Sequence, residues 1–142
     1  FVATISVAVT VAHLESEVSG LRDLHRVKVA TISNTTSQDY LRDKHIAFID
    51  YKSPLDALKV LAERKVDALV YDKPILEYLI NKEFSGKLSV LPVIFDLQSY
   101  GIAMSVDNKL REQINRVILR RIKEPEWENI HYKYLGIREH IF

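Results

Sequence analysis

Between Val27 and Tyr40 the chain changes character twice. A β-branched apolar run (Val27, Val29, Thr31, Ile32) gives way to Ser33-Asn34-Thr35-Thr36-Ser37, and that in turn to the helix-compatible Gln38-Asp39-Tyr40-Leu41-Arg42. The pattern predicts a strand, a short hydroxyl-rich loop and a helix. The N–H groups that open such a helix lack intrahelical partners. With the Thr35 and Thr36 hydroxyls they form a ready site for a small anionic group such as a carboxylate. The plainer reading is that Thr35, Thr36 or Ser37 only caps the helix.

Further along, the same alternation returns. Ile46-Ala47-Phe48-Ile49 reads as a second buried strand. The clearest helix start follows, with Ser53 as N-cap, Pro54 at the first helical position and Asp56 three residues after the cap. Leu55, Leu58, Leu61 and Ala62 then share one face, so this helix covers a sheet. Val66 to Tyr71 is a short strand, and Asp72-Lys73-Pro74 ends it and opens a helix from Ile75 to Lys82. A carboxylate at the C-terminal end of a strand, beside a helix start, lies where ligands bind α/β sheets. The alternative is that Asp72 merely satisfies helix N–H groups. Leu88 to Leu91 and Val93 to Phe95 read as extended segments. A helix over Asn108 to Lys123 places Leu110, Ile114, Val117, Ile118 and Ile122 on one face, and a last helix from Pro125 carries Trp127, Ile130, Tyr134 and Leu135 before Gly136. Strands alternating with helices predict an α/β fold, an open and mostly parallel sheet with helices on both faces.

The uncharged stretch Phe1 to Ala12 admits three readings. A signal-peptide core would want a basic segment before it and a small-residue cleavage pattern after it, and neither is seen. A buried strand or core helix suits its many β-branched residues. The third reading is the last part of a transmembrane helix, because this stretch as a helix covers only about 18 Å while a bilayer core needs on the order of twenty residues.

Composition narrows the chemistry. Twenty basic against nineteen acidic residues in 142 leave a formal charge of +1, which gives no electrostatic case for a nucleic-acid partner. Without cysteine there is no disulfide framework or thiolate metal site, and the five histidines show no ligand spacing. The four glycines are isolated, so no phosphate loop is present, and neither a serine nucleophile elbow nor a zincin helix occurs. No catalytic residue, metal ligand or cofactor is assigned, and the expectation is a binding protein. Donors at a helix start would hold an anionic group while Asp72 holds a cationic one, the charge pattern of a zwitterionic amino acid.

In their order and spacing these residues resemble the second lobe of the type II periplasmic binding proteins and of the ligand-binding domains of ionotropic glutamate receptors. The likeness runs through Gly20 to Leu24, Val27 to Ala30, Asn34 to Leu41, Ser53 to Leu61, Val66 to Pro74, Ser99 to Ala103, Leu110-Arg111 with Ile114-Asn115, and Tyr134 to Gly136. The resemblance implies that Thr35 and Thr36 meet ligand oxygens through backbone N–H and hydroxyl groups. It implies that Asp72 takes an α-ammonium group and that Tyr100 lies beside the cleft, on a strand crossing toward a first lobe. Asn34 stands where the family usually has glycine, and it tolerates left-handed geometry.

The resemblance also implies a division of the chain. Residues 1–18 would be the end of a truncated pore helix and its linker, as in prokaryotic glutamate-receptor-type potassium channels. Residues 19–97 would be the second lobe, and 98–142 a crossing strand and helices packing toward a missing first lobe. The expected parent is an amino-acid-gated potassium channel, a tetramer in the cell membrane with this lobe on the periplasmic or extracellular side. Alternatives are a solute-binding subunit of an amino-acid transport system and a catalytic relative of the same fold, a dehydratase or a lytic transglycosylase.

Overall fold

A computed structural model describes residues 2–10 and 18–136. Its centre is a six-stranded sheet. Strand β1 (Val2–Thr10) is followed by a short 3-10 helix (Leu21–His25), then β2 (Val29–Ile32), α1 (Thr36–Asp43), β3 (Phe48–Tyr51), α2 (Pro54–Ala62), β4 (Ala68–Asp72) and α3 (Lys73–Glu83). Strands β5 (Leu88–Val90) and β6 (Asp96–Ser99) come next, then helices α4 (Arg111–Arg121) and α5 (Pro125–Leu135).

The strand order is β3-β2-β4-β1-β5, with β6 on the other part of β1. β2 pairs in parallel with β3 and with β4, as expected of strands joined through helices. β1 runs against all its neighbours, with Ile5 opposite Asp72 on β4, Ala8 opposite Val90 on β5 and Val2 opposite Ser99 on β6. The α/β sheet with helices on both faces is thus present, but its pairing is mixed rather than mostly parallel.

Both faces of the sheet are covered, and the strands alternate between them. Ala8, Ala30, Ile32 and Leu69 pack with Leu58 and Leu61 of α2 and Leu76 and Ile80 of α3. Ile5, Val7, Val9, Val29, Ala68 and Val70 pack with Leu24 of the 3-10 helix and Leu41 of α1. The period of two along each strand sends neighbouring side chains to opposite cores. Each fully buried Val, Leu or Ile here contributes about 1.5–3 kcal/mol.

Within the apolar N-terminal stretch Val2–Thr10 is a strand, which corrects the expectation of a pore helix for those residues. Every residue from Ile5 to Thr10 is buried, and the β-branched side chains fill a slot between β4 and β5 whose backbone groups need a ladder partner. Ser6 adds a tie, its Oγ donating to the carbonyls of Leu91 (3.0 Å) and Val93 (2.8 Å). Among the described residues no helix is long and apolar enough to cross a membrane. Residues 11–17, assigned above to the pore helix and its linker, lie outside the described residues.

The last segment divides in two. α5 packs back on the lobe, with Tyr134 and Tyr78 of α3 at 6.3 Å between ring centroids. α4 buries none of its residues. Its expected apolar face instead lines an open groove of about 770 Å³ with Tyr100, Ile102, Met104, Ile114, Ile118 and Trp127 among the lining residues.

Candidate ligand-binding site

β2, β3 and β4 run in one direction, so the turns that follow them gather at one edge of the sheet. α1 leaves β2 toward the core that holds Leu41, whereas α3 leaves β4 toward the opposite core with Leu76 and Ile80. The two turns therefore diverge at the carboxyl ends of β2 and β4, the topological switch point at which open α/β sheets form a crevice and bind ligands. The register Val29 with Ala68 and Ala30 with Leu69, continued along both strands, puts Ser33 level with Asp72. The Thr31 Oγ1 bond to the Val70 carbonyl, at 2.9 Å, keeps the same offset. The threonine loop and Asp72 are thus brought together, one on each wall.

On the first wall, Thr35 is the N-cap of α1. Its Oγ1 accepts from the Gln38 N–H at 3.4 Å and donates to the Ile32 carbonyl at 2.6 Å. The capping reading holds for its hydroxyl, which leaves backbone N–H groups as its means of meeting an anion. The first i to i−4 bond of the helix joins Asp39 N–H to the Thr35 carbonyl, so the N–H groups of Thr36 and Ser37 precede the ladder. Thr36 is exposed and Ser37 is buried beneath it. Asn34 takes the left-handed conformation, φ 58°, in which an asparagine replaces glycine at modest cost.

On the second wall, Asp72 occupies the N-cap position of α3 without any side-chain capping bond. The capping alternative for Asp72 therefore fails. Its carboxylate instead accepts from the Tyr100 hydroxyl. β6 positions Tyr100 by pairing with the first residues of β1, which carries the chain past the end of β4 to the same edge. Burial raises the Tyr100 hydroxyl well above the usual phenol range, and the bond to Asp72 adds to it. Tyr71 is raised as well, by burial first and then by the Asp72 charge.

Sequence reasoning missed the side chains that shape the loop. Ser33 Oγ (2.9 Å) and Gln38 Nε2 (3.2 Å) both donate to Asp50 Oδ2 on β3, and Gln38 Oε1 accepts from the Asn34 N–H at 3.0 Å. The spacing Thr35-x-x-Gln38 is that of a capping box and could have flagged Gln38. Nothing local flags Asp50, which arrives through strand pairing. Among the described residues no group of three His, Cys, Asp or Glu side chains could hold a metal ion.

No family model matches the chain. The human ionotropic glutamate receptor NMDA 2C is 26% identical over 117 residues, 77% of this chain and 10% of the receptor. Mouse NMDA 2D is 26% identical over 118 residues, 78% of this chain and 9% of the receptor. The chain thus spans about a tenth of the length of the curated relatives it matches. Among solved structures, the GluR0 ligand-binding core from Nostoc punctiforme in complex with L-glutamate is 26% identical, with a TM-score of 0.75 over 96% of this chain and 63% of that one. A binding component of an ABC transporter from Wolinella succinogenes, complexed with lysine, shares the fold at 17% identity, with a TM-score of 0.75 over 96% of this chain and 60% of that one. The crevice, the strand order and these relatives agree: the chain is homologous to the ligand-binding domains of ionotropic glutamate receptors and has the fold of one lobe of a type II periplasmic binding protein.

Proposed function

We propose that this lobe is one jaw of a two-lobed clamshell that binds a free amino acid, with the other jaw supplied by a first lobe of the same polypeptide. The observation that carries the reading is the crevice between β2 and β4, with helix N–H groups on one wall and the Asp72 carboxylate on the other. A zwitterion satisfies both walls at once, its carboxylate on α1 and its ammonium on Asp72. The first lobe is expected against the open apolar face of α4. Binding without turnover is the proposed task. Conversion of an offered prephenate or peptidoglycan substrate would overturn that part.

The finer reading is an amino-acid-gated potassium channel, tetrameric in the cell membrane, with this lobe outside the cytoplasm. Its support is that relatives in sequence and in structure are glutamate receptors by name. Binding energy becomes gating work only as far as the ligand prefers the closed clamshell. A second reading, a solute-binding subunit of an amino-acid transport system, has in its support the fold shared with the lysine-bound ABC transporter component. The parent gene separates the two. A pore loop and transmembrane helix encoded before Phe1 support the channel, and a continuous first lobe supports transport.

The amino-acid reading itself is tested by calorimetric titration of the two-lobed parent with a panel of amino acids, using wild type and Asp72→Ala. A charge-assisted bond in a closed cleft is worth about 1.5–3 kcal/mol, so the substitution should weaken binding about ten- to a hundredfold. Equal affinity in both proteins would reject the role of Asp72.

A further inference from the structure

The loop on the first wall is held by a pair of side chains with no direct place in the crevice. Gln38 sits in the first turn of α1 and is only 8% exposed. Its amide spans two elements, accepting from the Asn34 N–H (3.0 Å) and donating to Asp50 Oδ2 (3.2 Å), while the same Asp50 oxygen accepts from Ser33 Oγ (2.9 Å). The amide orientation is fixed by chemistry. Turned over, it would set its NH₂ against an N–H and its oxygen against a carboxylate. Ser33 and Asn34, the residues immediately before the Thr35 cap, are therefore both fastened to one amide–carboxylate unit. The bond to the Asn34 N–H fixes a left-handed backbone that asparagine adopts at modest cost.

We infer that Gln38 and Asp50 are positioning residues that hold the β2–α1 turn in its ligand-ready form before any ligand arrives. The inference rests on the anion-site reading of that turn. The helix N–H groups of Thr36 and Ser37 can face a carboxylate only while the chain enters α1 through this turn. If the turn is competent for a fraction of the time, apparent affinity falls by that fraction. Asp50 lies on the edge strand β3, so the pairing of β3 with β2 is what sets the geometry of the ligand loop.

The test uses the isotopically labelled two-lobed parent and two nuclear magnetic resonance readouts, amide exchange at Asn34 and the shifts of Thr36 and Ser37 on titration with L-glutamate. Gln38→Met keeps the side-chain volume and removes both bonds. It should speed Asn34 exchange about tenfold and raise the L-glutamate midpoint, with the amides in the rest of α1 unchanged. Gln38→Glu alone faces Asp50 with a like charge and should do the same. Adding Asp50→Asn should restore both readouts, because the new NH₂ at position 50 can donate one hydrogen to the new carboxylate at position 38 and the other to Ser33 Oγ, whose own O–H then turns to the Tyr51 carbonyl at 3.2 Å. A merely structural contribution predicts no such rescue of the midpoint. Unchanged Asn34 exchange in Gln38→Met, or a double variant no better than Gln38→Glu, overturns the inference. Should wild-type Thr36 and Ser37 not respond to L-glutamate while Asn34 exchange behaves as expected, the anion-site reading fails first and takes the positioning role with it.

Discussion

The Tyr100 hydroxyl donates to the carboxylate of Asp72 across 28 residues of chain, at the edge of the sheet where the β4–α3 turn begins. The same carboxylate is the group that the proposed function assigns to a ligand ammonium. On that reading Tyr100 occupies an acceptor that the amino acid would need, and Asp72 is held by Tyr100 without being used as a helix cap.

That pairing predicts a coupling in stability. Tyr100→Phe should lower stability by about 0.5–1 kcal/mol, at the low end for a bond to a charged group because Tyr100 is 39% exposed. Asp72→Ala should cost a similar amount, and the double variant no more than either alone. Urea melts of the four proteins measure the coupling directly. Fully additive losses would mean that the two side chains do not interact in solution.

The same contact has a signature at alkaline pH. The Tyr100 hydroxyl is held above its unfolded pKa by burial and by Asp72, so its contribution to stability is complete below about pH 10 and is lost as pH rises through the folded value. Tyr71 and Tyr40 are raised too, each by burial first. The Tyr100 tyrosinate absorbance should therefore develop late in an alkaline titration, and Tyr100→Phe should remove part of the late absorbance. A titration that finishes in one step near pH 10 would count against the contact.

β1 makes a prediction that separates a structural strand from an appendage. Ile5 is completely buried in the core shared with Leu24 and Leu41. Ile5→Ala should destabilise the lobe by about 2–5 kcal/mol, measured as a shift of the urea midpoint without loss of cooperativity. No shift would show that the strand is not part of the folded lobe in solution.

α4 makes the opposite prediction. With no buried residue in that helix, Ile118→Asp should change the stability of this chain by less than about 0.5 kcal/mol. The same substitution should reduce binding of a hydrophobic dye and impair docking of the first lobe in the two-lobed parent. A large loss of stability in the 142-residue chain would place α4 in its own core.

What could be read from the sequence follows the range of the signals. Ser53, Pro54 and Asp56 announce α2 through bonds that lie within one turn, and the Ser53 Oγ does accept from the Asp56 N–H at 3.4 Å. The succession of β2, α1, β3, α2 and β4 was legible for the same reason, and with it the side-by-side placement of the threonine loop and Asp72. Phe1 to Ala12 was not legible from its pattern. A strand buried on both faces loses the alternation that marks a half-exposed one, and it then reads like an apolar helix. Asp50 was invisible because its role depends on β3 lying beside β2, and Tyr100 could be placed against Asp72 only once β6 was known to pair with β1.

The antiparallel course of β1 bears on how the lobe is made. β1 comes first in chain order, yet its three partners are Ala68–Asp72, Leu88–Val90 and Asp96–Ser99. On a ribosome its apolar residues must wait, unpaired, until β4 has been synthesised. β2 and β3 can meet early, but the sheet cannot close until β4 has emerged on one side of β1, and β5 and β6 on the other. Closure this late makes the nascent chain dependent on long-range pairing and exposes an aggregation-prone strand in the interval. Slowing translation after residue 99 should therefore matter little to yield, whereas pausing before residue 68 should lower it.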